Sequence, residues 1–160
     1  MIPPPHEEEE WLQQLGIPLE RHSNGQYQSP GDPGRRSSVT MAEGRILAGI
    51  VMGTNVLEIG TGLGVSTLCM AMTAHRVYTV DPAEWVERVK LPKNVGRFKH
   101  IDEIDFRFSV AFIDGEHDGP SVSRDIDDAL RFLTGPSPLV IFHDTNQDPV
   151  LAEVDKRAWR

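Results

Sequence analysis

The apolar positions of this chain follow two periods. Four short runs are continuous or nearly so: Val56, Leu57 and Ile59; Val77-Tyr78-Thr79-Val80; Val110-Ala111-Phe112-Ile113; and Leu139-Val140-Ile141-Phe142. Runs of this length, rich in β-branched residues, mark strands buried on both faces. Between them the spacing lengthens to that of a helix: Ile46, Leu47 and Ile50; then Val65, Leu68, Cys69 and Met72; then Val122, Ile126, Ala129, Leu130 and Leu133. Strands are therefore expected at 55–60, 76–81, 110–113 and 139–142. The helices between them are one from Thr40 to a stop at Gly53, one over 65–74, and one from Pro120 to Gly135-Pro136. Strand and helix in this alternation predict an α/β fold with a doubly wound, mostly parallel sheet.

Local signals sharpen the boundaries. Thr40 and Glu43 have capping-box spacing. Pro82 closes the second strand, 84–89 could form a short helix, and 91–96 reads as loop. A third strand is expected at the sheet edge over 97–101, and only 102–105 is left for the crossover to the next strand. A last helix begins in Leu151–Trp159. Residues 38–160 carry this pattern, whereas 1–37 read as an extension outside the core. In that extension Glu7–Gln14 could form a helix ending at Gly16, with acids in its first turn, where the helix dipole favours them. Trp11, Leu12, Leu15, Ile17 and Leu19 would dock it onto the body or a partner. Residues 29–38 read as a solvated linker, or as a lid carrying Arg35 and Arg36.

Composition narrows the partners. At 160 residues the chain is one domain, and its formal charge of −8 speaks against a nucleic-acid surface. No apolar run approaches the ~20 residues that span a bilayer, and the amino terminus carries no signal-peptide pattern. The single cysteine, Cys69, allows no internal disulfide and falls on an apolar helix face. A cytoplasmic protein, with no membrane and no nucleic acid as partner, is the expectation. The chain has no internal repeat.

The candidate chemistry starts at Gly60, Gly62 and Gly64, which join the strand at 55–60 to the helix at 65–74. A strand entering a helix through glycines leaves backbone N–H groups free at the helix N-terminus for a polar or anionic ligand group. The dinucleotide fingerprint is G-x-G-x-x-G, but Val65 stands where its third glycine would be. Glu58 lies two residues before the first glycine, and Asp81 closes the second strand. This E-x-G-x-G-x-G turn with its second acid resembles the S-adenosylmethionine site of class I (Rossmann-like) methyltransferases. The resemblance implies a cofactor site of Glu58, Gly60, Thr61, Gly62, Gly64, Ser66, Asp81 and Asp114, with Asp81 taking the ribose hydroxyls.

Two further motifs, Ile-Asp-Gly-Glu-His at 113–117 and Phe-His-Asp-Thr at 142–145, resemble the branch of that family that methylates oxygen atoms of sugars and other small molecules. By that resemblance His117 is the base, Asp114 and His143 complete the reaction site, and Asp114 with Asp144 holds a cation such as Mg²⁺. Thr145 stands where the family commonly has Asn. Each of these residues also has a plainer reading: Asp114 as a helix cap, His117 as a turn residue, His143-Asp144 as a structural turn. The two histidines and two acids also invite a zinc reading. His6, His22, His75 and His100 read as surface residues.

The family's sheet normally has seven strands, the last two an antiparallel pair, and nothing in the sequence supplies that pair. The sheet is then a five-stranded remnant, is completed by a partner such as a second copy, or belongs to a fragment. The implied function is O-methylation of a hydroxylated small molecule. The alternatives are a non-catalytic cofactor-binding or interaction protein and, behind it, a nicotinamide-dependent oxidoreductase.

Overall fold

A computed structural model of the chain describes residues 2–4, 7–16, 18–29, 39–83 and 87–157. Its elements in chain order are α1 (Glu8–Leu12), β1 (Glu20–Arg21), β2 (Tyr27–Gln28), α2 (Met41–Ile50), β3 (Asn55–Ile59), α3 (Val65–Ala71), β4 (Arg76–Val80), β5 (Val95–Phe98), β6 (Val110–Ile113), α4 (Gly119–Phe132), β7 (Leu139–Phe142) and α5 (Asp148–Asp155). β1 and β2 form an antiparallel hairpin, and the other five strands form one sheet in the order β5-β4-β3-β6-β7. Every neighbouring pair in that sheet is parallel. The expected doubly wound sheet of about five strands is therefore present, and the described residues contain no terminal antiparallel pair.

The chain leaves β3 toward β4 and β5, then returns to place β6 and β7 on the other side of β3. The strand order reverses between β3 and β6. In open α/β sheets the crevice beyond the carboxyl ends of the strands at such a reversal is where ligands bind.

Alternate residues of each strand feed two cores, as the two-residue period of a strand requires. Val56, Val77, Val110 and Phe112 pack with Leu47 and Val51 at α2 and with Met70 of α3. Leu57, Ile59, Ala111 and Ile113 pack under Val122, Ile126 and Phe132 of α4 and Val150 of α5. The two helices on the first face come close because Gly44 faces Cys69, where a Cβ would lie 2.5 Å from the sulfur.

The apolar residues of the amino-terminal segment dock it onto the body, one of the two alternatives expected for them. Leu12, Leu15 and Tyr27 are fully buried and cover Leu63, Val65, Leu68, Cys69 and Val89. Each such leucine contributes roughly 1.5–3 kcal/mol of apolar burial. Every residue of α3 is buried, because this segment covers the side that the sheet and α2 leave open. Glu8, in the first turn of α1, is 2% exposed. It pairs with Arg45 of α2 and accepts a hydrogen bond from Tyr27 at 3.4 Å. Ile17, Trp159 and the arginines of the lid reading lie outside the described residues, as does the first half of the short helix expected at 84–89.

Other boundaries move by a few residues. The edge strand is Val95–Phe98, so 95–96 are not loop; Gly96 and Arg97 hide its β-signal, and it is made by pairing with β4. The crossover after it is as short as expected, a single 3₁₀ turn at Ile101–Glu103. Aromatic rings cover the face that a crossover helix would occupy. Tyr78 stacks on Phe98 at 5.5 Å and on Phe106 at 5.4 Å, with Phe108 edge-on at 5.2 Å. Helix α3 stops at Ala71 rather than 74, and α5 begins three residues earlier than Leu151, with Pro149 in its first turn. Asp125 of α4 leans on the Gly115 backbone; burial raises its pKa to about 6. No helix among the described residues is long and apolar enough to cross a membrane.

Candidate functional site

The glycine turn lies at the mouth of the strand-order reversal. Gly60, Gly62 and Gly64 all have positive φ, at 96°, 48° and 80°, which side-chain-bearing residues rarely adopt. Gly60 is further constrained, since a Cβ there would lie 2.1 Å from the Asp114 carbonyl oxygen. The turn is thus pressed against the carboxyl end of β6. Asp81, from the end of β4, holds the turn from the other side. Its Oδ2 accepts from the backbone N–H groups of Thr61 and Gly62, both at 3.1 Å, and its Oδ1 accepts from Ala83 N at 2.9 Å.

Three predicted cofactor residues turn inward instead. Glu58 is fully buried; Ser66 and Thr67 donate their hydroxyls to its two oxygens at 2.6 and 2.5 Å. Burial raises its pKa to about 7, against those hydrogen bonds, which lower it. The Thr61 hydroxyl is paired with that of Thr79 at 2.6 Å. Glu58, expected in one cofactor site with Asp81 and Asp114, thus has no exposed surface. It sits beneath the turn and ties β3 to the first turn of α3. Nothing stands within 4 Å of a Cβ at Gly62, so that corner of the turn is open. The cavity between the turn, Val39 and Asp114 is small, about 20 Å³. Val89, Leu15 and Leu91 close over Gly64.

A second cluster forms where β6 and β7 end side by side. His143 Nδ1 lies 3.5 Å from Asp114 Oδ1 and 3.2 Å from Asp144 Oδ1. His117 Nε2 approaches the same two carboxylates, at 3.7 Å from Asp114 Oδ1 and 3.3 Å from Asp144 Oδ2. Both ring nitrogens are buried and make no hydrogen bond; the contacts are electrostatic, being too long or poorly aimed for hydrogen bonds. Asp114 raises the pKa of His117 above the ordinary imidazole value, against burial, and Asp144 adds to the rise. Asp114, His143 and Asp144 each present one ligand atom, all within 4.8 Å of one another. Asp144 reaches this position with a φ of 51°, the one positive value among the described non-glycine residues. The plainer reading of Asp114 as the helix cap fails, because Asp118 caps α4 by accepting from Ser121 N at 3.1 Å.

Some partners of this cluster carried no signal in the sequence. Gln147 Nε2 lies 3.1 Å from His117 Nδ1. Glu43 Oε1 lies 3.6 Å from His143 Nε2, although Glu43 read only as a capping residue. Burial works against its ionisation, yet hydrogen bonds from Thr40 and the nearby His143 hold its pKa below the ordinary carboxylate value. Asn24 and Gln26 of the hairpin close a cavity of about 390 Å³ with Thr40, Glu43, Phe142 and His143-Asp144-Thr145-Asn146. In the crossover, Asp102 pairs with Arg131 at 3.0 Å, and Glu103 accepts from His100 N at 2.8 Å.

Comparison with known proteins bears on this arrangement. Residues 57–145 match the family model described as a methyltransferase domain. No curated protein matches the sequence. The fold is similar to that of an rRNA methylase from Streptococcus thermophilus (TM-score 0.54, 17% identity, covering 73% of this chain and 78% of that one). It is also similar to the N-methyltransferase NodS from Bradyrhizobium japonicum (0.54, 17%, 72% and 78%). A tRNA methyltransferase, TrmI, from Aquifex aeolicus matches over 90% of this chain (0.55, 17%), which spans only 58% of that protein. At these identities the likeness is one of fold.

Proposed function

The chain belongs to the methyltransferase-domain family, and from that premise we propose that it moves the methyl group of S-adenosylmethionine to a hydroxyl of a small molecule. The observation that carries the reading is the convergence of His117, Asp114, His143 and Asp144 directly beside the glycine turn, with the Asp114 backbone against Gly60. The formal charge of −8 favours a small acceptor over a nucleic acid.

Two features suit the cofactor: the open corner at Gly62 and the Asp81 carboxylate fixed beside it by three backbone donors. When bound, the cofactor supplies a sulfonium-activated methyl group. The protein's part is to align the acceptor oxygen with that methyl and to take the hydroxyl proton. His117 is assigned the proton on geometry, as the histidine held against Asp114 and Asp144 and braced from behind by Gln147. Gln147 Nε2 donates to His117 Nδ1 at 3.1 Å, which orients the ring with Nε2 toward the Asp114 and Asp144 carboxylates. The 390 Å³ cavity beside His143 is the acceptor space; its lining is mostly carboxamides, hydroxyls and acids, which fits a hydroxylated molecule.

A divalent cation fits at Asp114 and Asp144, as the buried His143 Nδ1 without a hydrogen bond supplies a third ligand. Two carboxylates suit Mg²⁺, and the imidazole nitrogen tilts the donor set toward Mn²⁺. A bound cation would lower the pKa of a coordinated hydroxyl.

Calorimetric titration with S-adenosylhomocysteine tests the reading. Micromolar binding by the wild type, weakened at least ~10-fold in Asp81→Asn with the fold intact, is expected. Methyl transfer to a panel of sugars, polyols and phenols then tests the acceptor class. The non-catalytic reading keeps one observation in its favour, the mere 20 Å³ of space beside the glycine turn. Binding without transfer to any acceptor would favour it, and no binding at all would overturn the methyltransferase reading.

A further inference from the structure

Glu43 belongs to the amino-terminal cap of α2, yet its carboxylate is shared between two tasks. One oxygen, Oε2, accepts from Thr40 N at 2.7 Å and from the Thr40 hydroxyl at 2.8 Å, closing the capping box. The other oxygen, Oε1, points away from the cap to His143 Nε2, 3.6 Å off. The opposite ring nitrogen of His143, Nδ1, is the one aimed at Asp114 and Asp144. The imidazole is thus held between an acid on each side, and the ring can present a lone pair to only one of them. A carboxylate cannot donate, so Glu43 draws the proton to Nε2 while Asp114 and Asp144 draw it to Nδ1. With a cation on the two aspartates, Nε2 beside Glu43 would be the place for the proton and Nδ1 the lone pair.

We propose that Glu43 is a positioning residue for the cation site, fixing the tautomer of His143 so that Nδ1 is a ligand atom alongside Asp114 and Asp144. The proposal rests on the reading of that cluster as a cation site. A ligating histidine held by a carboxylate through its other nitrogen is a general device for orienting the ring and raising its basicity. Here the device is coupled to the fold, because the same carboxylate completes the cap that starts α2.

Two variants separate the tasks. Glu43→Gln can keep the capping box, since glutamine serves at that position. With its amide oxygen held by Thr40, its NH₂ faces His143 Nε2 and favours a lone pair there, which moves the proton to Nδ1. Thr40→Ala removes the cap hydroxyl and leaves the carboxylate free to face His143. Mn²⁺ affinity, read by calorimetry and by electron paramagnetic resonance of free Mn²⁺, and the unfolding midpoint in urea are measured on the full chain.

The expected result for Glu43→Gln is a 10- to 100-fold loss of Mn²⁺ affinity with little change of midpoint. For Thr40→Ala it is a lowered midpoint with Mn²⁺ affinity within a few-fold of wild type. Equal Mn²⁺ affinity in wild type and Glu43→Gln would overturn the positioning role while leaving the cation site standing. A wild type that binds no Mn²⁺ would overturn the cation reading itself, and this proposal with it.

Discussion

Replacing Glu58 by glutamine keeps the shape of the side chain and removes one titrating proton from the dry interior. Glu58 is fully buried, and its two oxygens take hydrogen bonds from Ser66 and Thr67. Burial nonetheless carries its pKa from 4.5 to about 7. Between those values the folded protein holds a proton that the unfolded chain has released. Wild-type stability therefore falls as pH rises through this window, and the loss is absent below ~4.5. The full effect is about 3 kcal/mol, most of which falls between pH 5 and pH 8. Glutamine keeps an acceptor for one hydroxyl and can donate to the other. Urea unfolding of both proteins at pH 5 and pH 8, followed by tryptophan fluorescence, gives the double difference in which other titrating groups largely cancel. Glu58→Gln should lack the fall seen in the wild type. A double difference under ~1 kcal/mol would refute the argument, because the carboxylate would then be no more costly to ionise inside than in water.

Gly60→Ala should destabilise by at least ~2 kcal/mol in the same urea assay, since it combines positive φ with a Cβ 2.1 Å from the Asp114 carbonyl. Gly62→Ala, at a φ of 48° with no atom within 4 Å of the added Cβ, should cost only about 1 kcal/mol; equal losses at the two sites would refute the close-approach argument. His117→Ala should lower methyl-transfer turnover by ~10²–10⁴ with S-adenosylhomocysteine binding unchanged. Turnover equal to wild type would remove its role as base.

What could be read in the amino-acid order was local. β3, β4, β6 and β7 follow from runs whose burial on both faces is written in consecutive residues. The capping box at Thr40 and the glycine turn follow from short-range rules of hydrogen bonding and φ. Asp81 and Asp114 close their strands at the carboxyl end, so parallel pairing puts both at the same edge of the sheet. Tertiary structure alone decided the rest, because it depends on contacts between residues far apart in the chain. That Leu12 and Leu15 dock on the body rather than on a partner, and that Tyr27 joins them, followed from the side of α3 left uncovered. The edge strand at 95–98 is held by its pairing with β4, against a weak intrinsic signal. Glu58 looked like a ligand contact and became a buried strut, because α3 turned two hydroxyls toward it. Glu43 looked like a cap and also became a neighbour of His143, 100 residues further on. A periodic pattern states which face of an element avoids water. Which distant group meets a given carboxylate is set only when the layers close.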